Sequence, residues 1–238
     1  MSRRMPVWMG AVLALAVAGL FAALGAWQLG RMHAKDALLQ ASAQVLEHRR
    51  AQPLALAADP ARRSDYDWAA GPGLFLPGPA VLLDNQNHAG RAGVRAYRVF
   101  KPAAGGLPLL VELGWLPLPG DRQLPDIVLP DVDEVSGLLL PPPSRGMVAS
   151  VLEHDDARVL ATVLDLPGLA SALQLPALAP RVLRLDPALP VGYARDLELL
   201  PNTLTPERHL GYAVQWFALA VAVLVVALVT ALRSRRRR

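Results

Sequence analysis

The sequence predicts an α+β membrane protein in which two terminal transmembrane helices flank a β-rich extracytoplasmic domain with one or two helices of its own. Three observations lead there: an uncharged apolar run from Val7 to Trp27, a second from Leu210 to Leu232, and a central stretch where short Val- and Leu-rich runs alternate with Gly, Pro, Asn and Asp clusters. At about 1.5 Å per residue, either apolar run covers the roughly 30 Å hydrocarbon core of a bilayer as a helix. The expected organisation is a cytoplasmic tail at 1–6, a transmembrane helix at 7–29, a periplasmic β-rich domain at 30–209, a second transmembrane helix at 210–232, and a cytoplasmic basic tail at 233–238.

Orientation follows from the flanking arginines. Arg3 and Arg4 precede the first run, and Arg233, Arg235, Arg236, Arg237 and Arg238 follow the second, so the positive-inside bias puts both termini in the cytoplasm. Removing these seven from the 24 Lys and Arg leaves 17 against 20 Asp and Glu. The pI of 9.9 is therefore a topology signal, and the mildly acidic middle gives no basis for a nucleic-acid partner. The partners expected from composition are membrane lipids.

The first run is longer than the roughly 7 to 15 residues of a signal-peptide core, so it reads as an uncleaved anchor. Six residues ahead of it are too few for a mitochondrial transit peptide, which points to a bacterial inner (cytoplasmic) membrane. With no cysteine, the domain must hold its core without disulfides, and thiolate metal sites and thiol redox chemistry are excluded.

Past the first run, Ala37 to Arg50 is rich in helix formers, so that helix is expected to leave the membrane and end before Pro53. Within the span, Ala14, Ala18, Ala22, Ala26 and Gly30 recur every four residues, a stripe that would let a second helix approach closely. Antiparallel strands are expected at Ala80 to Leu83, Val94 to Phe100, Leu107 to Leu113 and Val135 to Leu140, with turns at Asp84 to Gly90 and Ala103 to Gly106. Pro141 to Pro143 reads as a rigid connection, Asp156 to Leu173 as a helix interrupted at Pro167, and Arg181 to Leu185 as a last strand.

Enzyme signatures are missing: the chain holds no Gly-x-Ser-x-Gly, phosphate loop, zinc-protease pair or dinucleotide fingerprint. The acidic groups Asp65-Tyr66-Asp67 and Glu153-His154-Asp155-Asp156 read as solvated loops, and an enzymatic role would have to run through Asp65, Asp67 or Glu153. The five histidines, His33, His48, His88, His154 and His209, show no paired ligand spacing. His209 stands apart, because on a helix it shares a face with Tyr212 and Trp216. Two readings fit: an aromatic belt at the bilayer interface, or a neutral imidazole ligating haem iron with the rings against the macrocycle. Residue chemistry alone favours the belt. Trp27-Gln28 at the end of the first run mirrors Gln215-Trp216 at the start of the second, so packed spans would gather these groups into one patch.

Four stretches together resemble the surfeit-locus type of cytochrome c oxidase assembly proteins. They are Leu24-Gly25-Ala26-Trp27-Gln28-Leu29-Gly30-Arg31 with Lys35 following, Leu82-Leu83-Asp84-Asn85-Gln86, Leu113-Gly114-Trp115-Leu116-Pro117, and His209-Leu210-Gly211-Tyr212-Ala213-Val214-Gln215-Trp216-Phe217. They occur in the family's order and span nearly the whole chain. The resemblance implies a non-enzymatic assembly factor for the haem-copper oxidase catalytic subunit, with transient haem a as cofactor and the haem a synthesis machinery as a further partner. It implies His209 as the ligand to haem iron, with Tyr212, Trp216, Trp27 and Gln28 as cofactor contacts. The rival is a scaffold that stabilises an oxidase intermediate without touching haem. Where the family's strand carries arginine this chain has Leu113, which leaves Arg95 or Arg98 as the candidate substitute.

Overall fold

The computed structural model describes residues 7–143, 151–154, 157–197 and 204–236. The two tail segments that set orientation, 1–6 and 237–238, lie outside these residues, as do Asp155 and Asp156 of the second acidic group. Two compact units are present: residues 1–40 with 203–238, and residues 41–202.

The first unit holds two long helices, α1 (Val7–His48), whose last turns belong to the second unit, and α3 (Pro206–Arg236). Both are long and apolar enough to cross a membrane. Each runs on past its uncharged stretch, since nothing between Trp27 and His48 breaks a helix and Pro206 suits the first turn of α3. The buried positions are Ala18 and Gly25 on α1 and Pro206, His209, Ala213 and Ala220 on α3; half-buried Phe21, Gln28, Met32 and Lys35, and Trp216 and Val223, continue them in alternating steps of three and four, with Ala14, Val17, Ala22, Leu24 and Leu29 of α1 half-buried beside them. Steps averaging 3.5 keep a seam facing its partner along two paired helices. The expected small-residue stripe steps by four and leaves the covered side only toward its end: Ala18 is buried and Ala14 and Ala22 are half-buried, whereas Ala26 and Gly30 are exposed.

The second unit is built on nine strands among the described residues: β1 (Gln52–Pro53), β2 (Asp67–Phe75), β3 (Ala80–His88), β4 (Arg91–Pro102), β5 (Leu109–Pro117), β6 (Glu134–Leu140), β7 (Leu152–His154), β8 (Arg158–Ala161) and β9 (Val182–Leu185). One short helix, α2 (Leu166–Ala172), lies between β8 and β9. Strand β2 pairs with β6 along its first half and with the end of β4 along its second, so β2, β6, β9, β5 and β4 close into a ring. The remaining strands extend from it, β1 on β2 and β3-β8-β7 on β4. The sheet is mixed rather than antiparallel, because β1, β8 and β9 join β2, β3 and β5 in parallel.

Alternation along the ring strands sorts the side chains. Phe75, Ala96, Phe100, Leu109, Val111, Leu113, Leu139, Leu183 and Leu185 belong to one buried cluster. Tyr97, Val99, Leu110, Leu138, Leu140 and Val182 belong to another, against which Val45 and Leu46 of α1 and Leu169 and Ala170 of α2 pack. Helices must lie outside a closed ring, so the second cluster is its outer layer and the first fills its interior.

Two expected elements differ. Residues 158–161 form a strand rather than the start of a helix: Val159 and Ala161 are buried while Arg158 and Leu160 are half-buried, a period of two that suits addition to β3. Pro167 then opens α2 instead of interrupting it. The polar run from Asp84 is likewise strand as far as His88, with a bulge between Leu83 and Gln86 at which Asn85 takes φ 56°. The turn itself is only Ala89-Gly90, both at positive φ.

Gly114 carries a close approach. Its φ is +129°, and a Cβ there would lie 2.8 Å from the backbone of Tyr193 and Ala194. The contact lets Trp115 N–H donate to Ala194 O at 2.7 Å and Tyr193 N–H to Leu113 O at 2.8 Å, which lays segment 193–194 along β5.

Candidate functional site

The seam of the first unit carries polar chemistry at one level. His209 sits in the first turn of α3, where Thr205 O accepts from its backbone N–H at 3.2 Å and Glu207 places negative charge at the helix N-terminus. Its ring turns into the seam and is 5% exposed. Across from it Gln28, half-buried on α1, puts Oε1 2.6 Å from His209 Nδ1. An amide oxygen only accepts, so Nδ1 carries the proton and donates. The other ring nitrogen, Nε2, is buried with no hydrogen-bond partner among the described residues. Arg31 and Lys35, one and two turns further along α1, lie close enough to act on the ring electrostatically. Lys35 Nζ donates to Leu204 O and so ties the start of the α3 segment to α1.

One step further into the apolar run, Phe21 and Trp216 stack at a tilt with centroids 5.5 Å apart. Gly25 lies beside Phe217, whose ring would be 2.8 Å from a Cβ on residue 25. A side chain at 25 would have to displace that ring, which is 37% exposed and can turn aside, so it takes a bulky one to hold the helices apart at the level where His209 and Gln28 meet.

The residues expected at the site divide into two sets. His209 and Gln28 come together, and Trp216 enters the same seam. Tyr212 and Trp27 do not: they are 42% and 58% exposed. Tyr212 shares a broad helix face with His209, but the seam steps from 209 to 213, so Ala213 takes the inward position and Tyr212 is turned aside. Gln215 is exposed as well, and the polar pairing across the helices is Gln28 with His209 rather than with Gln215. Phe21, Gly25 and Ala213 escaped the sequence reading. Two runs that are apolar almost throughout carry no sequence signal for which positions face the partner helix, so these residues emerge only from burial in the folded pair.

The second unit gathers its charges inward. On the outer layer of the ring, Glu112 accepts from Arg95 and from the Tyr97 hydroxyl, with Tyr97 Oη at 3.1 Å, and forms an ion pair with Arg184, whose Nε lies 3.1 Å away. Burial, and then the Glu112 carboxylate beside it, push the Tyr97 phenol well above the usual tyrosine range. Asp67, expected in a solvated loop, is buried between Arg181 and Arg62. Leu113 lies in the ring interior, whereas Arg95 is engaged with Glu112 and Arg98 donates to the carbonyls of Gly78 and Ile127. These are closed arrangements that fix strands to one another.

The fold and the site define a class: a β-rich domain that stands in the sequence between two helices long and apolar enough to cross a membrane, with a histidine–glutamine pair set into the helix seam. Among the described residues no group of three or more His, Cys, Asp or Glu is placed to hold a metal ion, and His209 is the histidine that stands in the seam. The chain belongs to the SURF1 family, whose model matches residues 15–221. That family consists of cytochrome c oxidase assembly factors. The match begins inside α1 and ends inside α3, and so takes in the seam and the β-rich domain together. No curated protein matches the chain significantly.

Proposed function

We propose that this chain aids haem a insertion into, or maturation of, the cytochrome c oxidase catalytic subunit, holding the haem transiently through His209. The observation that carries the reading is the buried Nε2 of His209, a nitrogen without a hydrogen-bond partner among the described residues. An axial ligand to haem iron is such a nitrogen, and when bound the haem supplies the metal that this nitrogen lacks. Gln28 orients the ring through Nδ1. Arg31 and Lys35 offer positive charge for the carboxylates of the macrocycle. Trp216 holds the seam behind the histidine, and Tyr212 and Trp27, exposed at the same level, are the rings available to lie against the ligand.

A single protein ligand suits transient holding, because two strong axial ligands would retain the haem. Since Nε2 is closed off between the helices, the seam must open at this level for iron to reach it. That closure also favours a second reading, in which the His209–Gln28 bond only clamps the helices and the protein scaffolds an oxidase intermediate. In both readings the protein lies in a bacterial inner membrane with its termini cytoplasmic and the β-rich domain periplasmic. Its partners are the catalytic subunit and the haem a synthesis machinery.

The test is the absorption spectrum of the full chain purified in detergent from cells making haem a, beside His209→Ala. A haem a spectrum that weakens or shifts in the variant is the expected result. Haem in neither protein, with oxidase association retained, establishes the scaffold instead.

A further inference from the structure

We infer that Gln28 is a positioning residue that selects the tautomer of His209, holding the proton on Nδ1 so that Nε2 is permanently presented as an electron-pair donor. The inference rests on the haem-holding reading for its purpose but not for its geometry. Oε1 of Gln28 stands 2.6 Å from Nδ1. Two lone pairs cannot face one another at that distance, so the proton lies between them and Nε2 has none. The neutral side chain of a free histidine in water prefers the opposite arrangement, with the proton on Nε2. The protein therefore inverts an intrinsic preference, and it does so with a neutral amide rather than a carboxylate.

The choice of amide has a chemical consequence. A carboxylate at this position would draw the Nδ1 proton strongly and make the imidazole a more basic, more tightly binding ligand. An amide fixes the ring and the tautomer with a weaker pull. For a protein that must release its ligand, orientation without added basicity is the useful combination. The same bond restrains ring rotation, so Nε2 keeps one direction within the closed seam and is already aprotic when the helices begin to part.

The test uses the full chain in detergent without haem, with histidine labelled by ¹⁵N and the His209 signals assigned by their loss in His209→Ala. The wild type is expected to show a protonated Nδ1 and an unprotonated Nε2. Gln28→Leu is expected to move most of the population to the Nε2–H form, and Gln28→Glu to restore Nδ1–H. The mutual ring-current shifts of Phe21 and Trp216 report whether the helix pair is still closed in each variant. A wild-type Nε2–H signal overturns the proposal, as does an unchanged tautomer in a closed Gln28→Leu pair. In haem-loaded protein the iron–histidine stretching frequency is expected to fall in Gln28→Leu and to rise in Gln28→Glu. If no haem binds but the tautomers behave as stated, the selection by Gln28 stands and the haem-holding reading fails.

Discussion

Asp67 Oδ2 accepts a 2.6 Å hydrogen bond from Nη1 of Arg181, a fully enclosed side chain 114 positions away in the sequence. The other guanidinium nitrogen of Arg181 donates to Leu56 O, and the other Asp67 oxygen accepts from Arg62 Nη2 at 2.7 Å. The carboxylate thus joins β2 to the residue preceding β9 and to the turn before β2.

The two arginines predict unequal losses. Removing Asp67 leaves Arg181 charged, buried and uncompensated, which costs about 3–5 kcal/mol. Arg62 is partly in water, and a pair of that kind contributes about 1 kcal/mol or less. Asp67→Ala should therefore lower the denaturation midpoint of the full chain in detergent sharply, while Arg62→Ala should shift it only slightly. Equal shifts would show that Arg181 finds another carboxylate or water.

A pH dependence follows from Tyr97. Its phenol is pushed well above the usual tyrosine range by burial first and Glu112 second. In the unfolded chain the same phenol ionises near pH 10. Above that pH the unfolded state has lost a proton that the folded state keeps, so stability falls as pH rises, by at most about 1.4 kcal/mol per pH unit for this group. Below pH 10 the contribution is complete and flat. Denaturation of Tyr97→Phe between pH 9 and 11 should show a shallower alkaline decline than the wild type, and a constant deficit at neutral pH from the lost bond to Glu112. Tyr66, also shifted upward by burial, supplies part of the decline that remains. Parallel curves for the two proteins would mean that Tyr97 ionises in the folded state.

How much of this was legible depended on the distance over which each residue finds its partner. Helices α1 and α3 follow from uncharged runs, a local property, and most ring strands follow from Val- and Leu-rich runs. Asp67 read as solvated because its identity is hydrophilic and its partner lies 114 positions on. Residues 158–161 read as helix because they are short and apolar, and only pairing with β3 makes them a strand. At the seam, His209 and Gln28 were recognised by chemical type. Tyr212 stood out over Ala213 for the same reason, because a run that is apolar almost throughout does not mark which side faces the partner helix, and the alternation of three and four appears only in the burial of the folded pair. Gly25 was visible as part of a motif but not as the point where Phe217 needs room.

The last prediction concerns that point. Phe217 approaches Gly25 so closely that its ring would meet a Cβ at 2.8 Å. In lipid, helix pairing gains little from apolar burial and depends on close packing, so a small residue here governs whether the seam closes. Gly25→Leu should separate the helices at the level of Gln28 and His209, and Phe217→Ala in the same chain should bring them back. Because the protein has no cysteine of its own, cysteines at positions 21 and 216, whose native rings are in contact, make a clean pair for a short bifunctional thiol reagent in membranes. Cross-linking by the reagent should be efficient with Gly25, strongly reduced in Gly25→Leu and recovered in Gly25→Leu with Phe217→Ala. Cross-linking that ignores residue 25 would show that the helices are held together by other contacts.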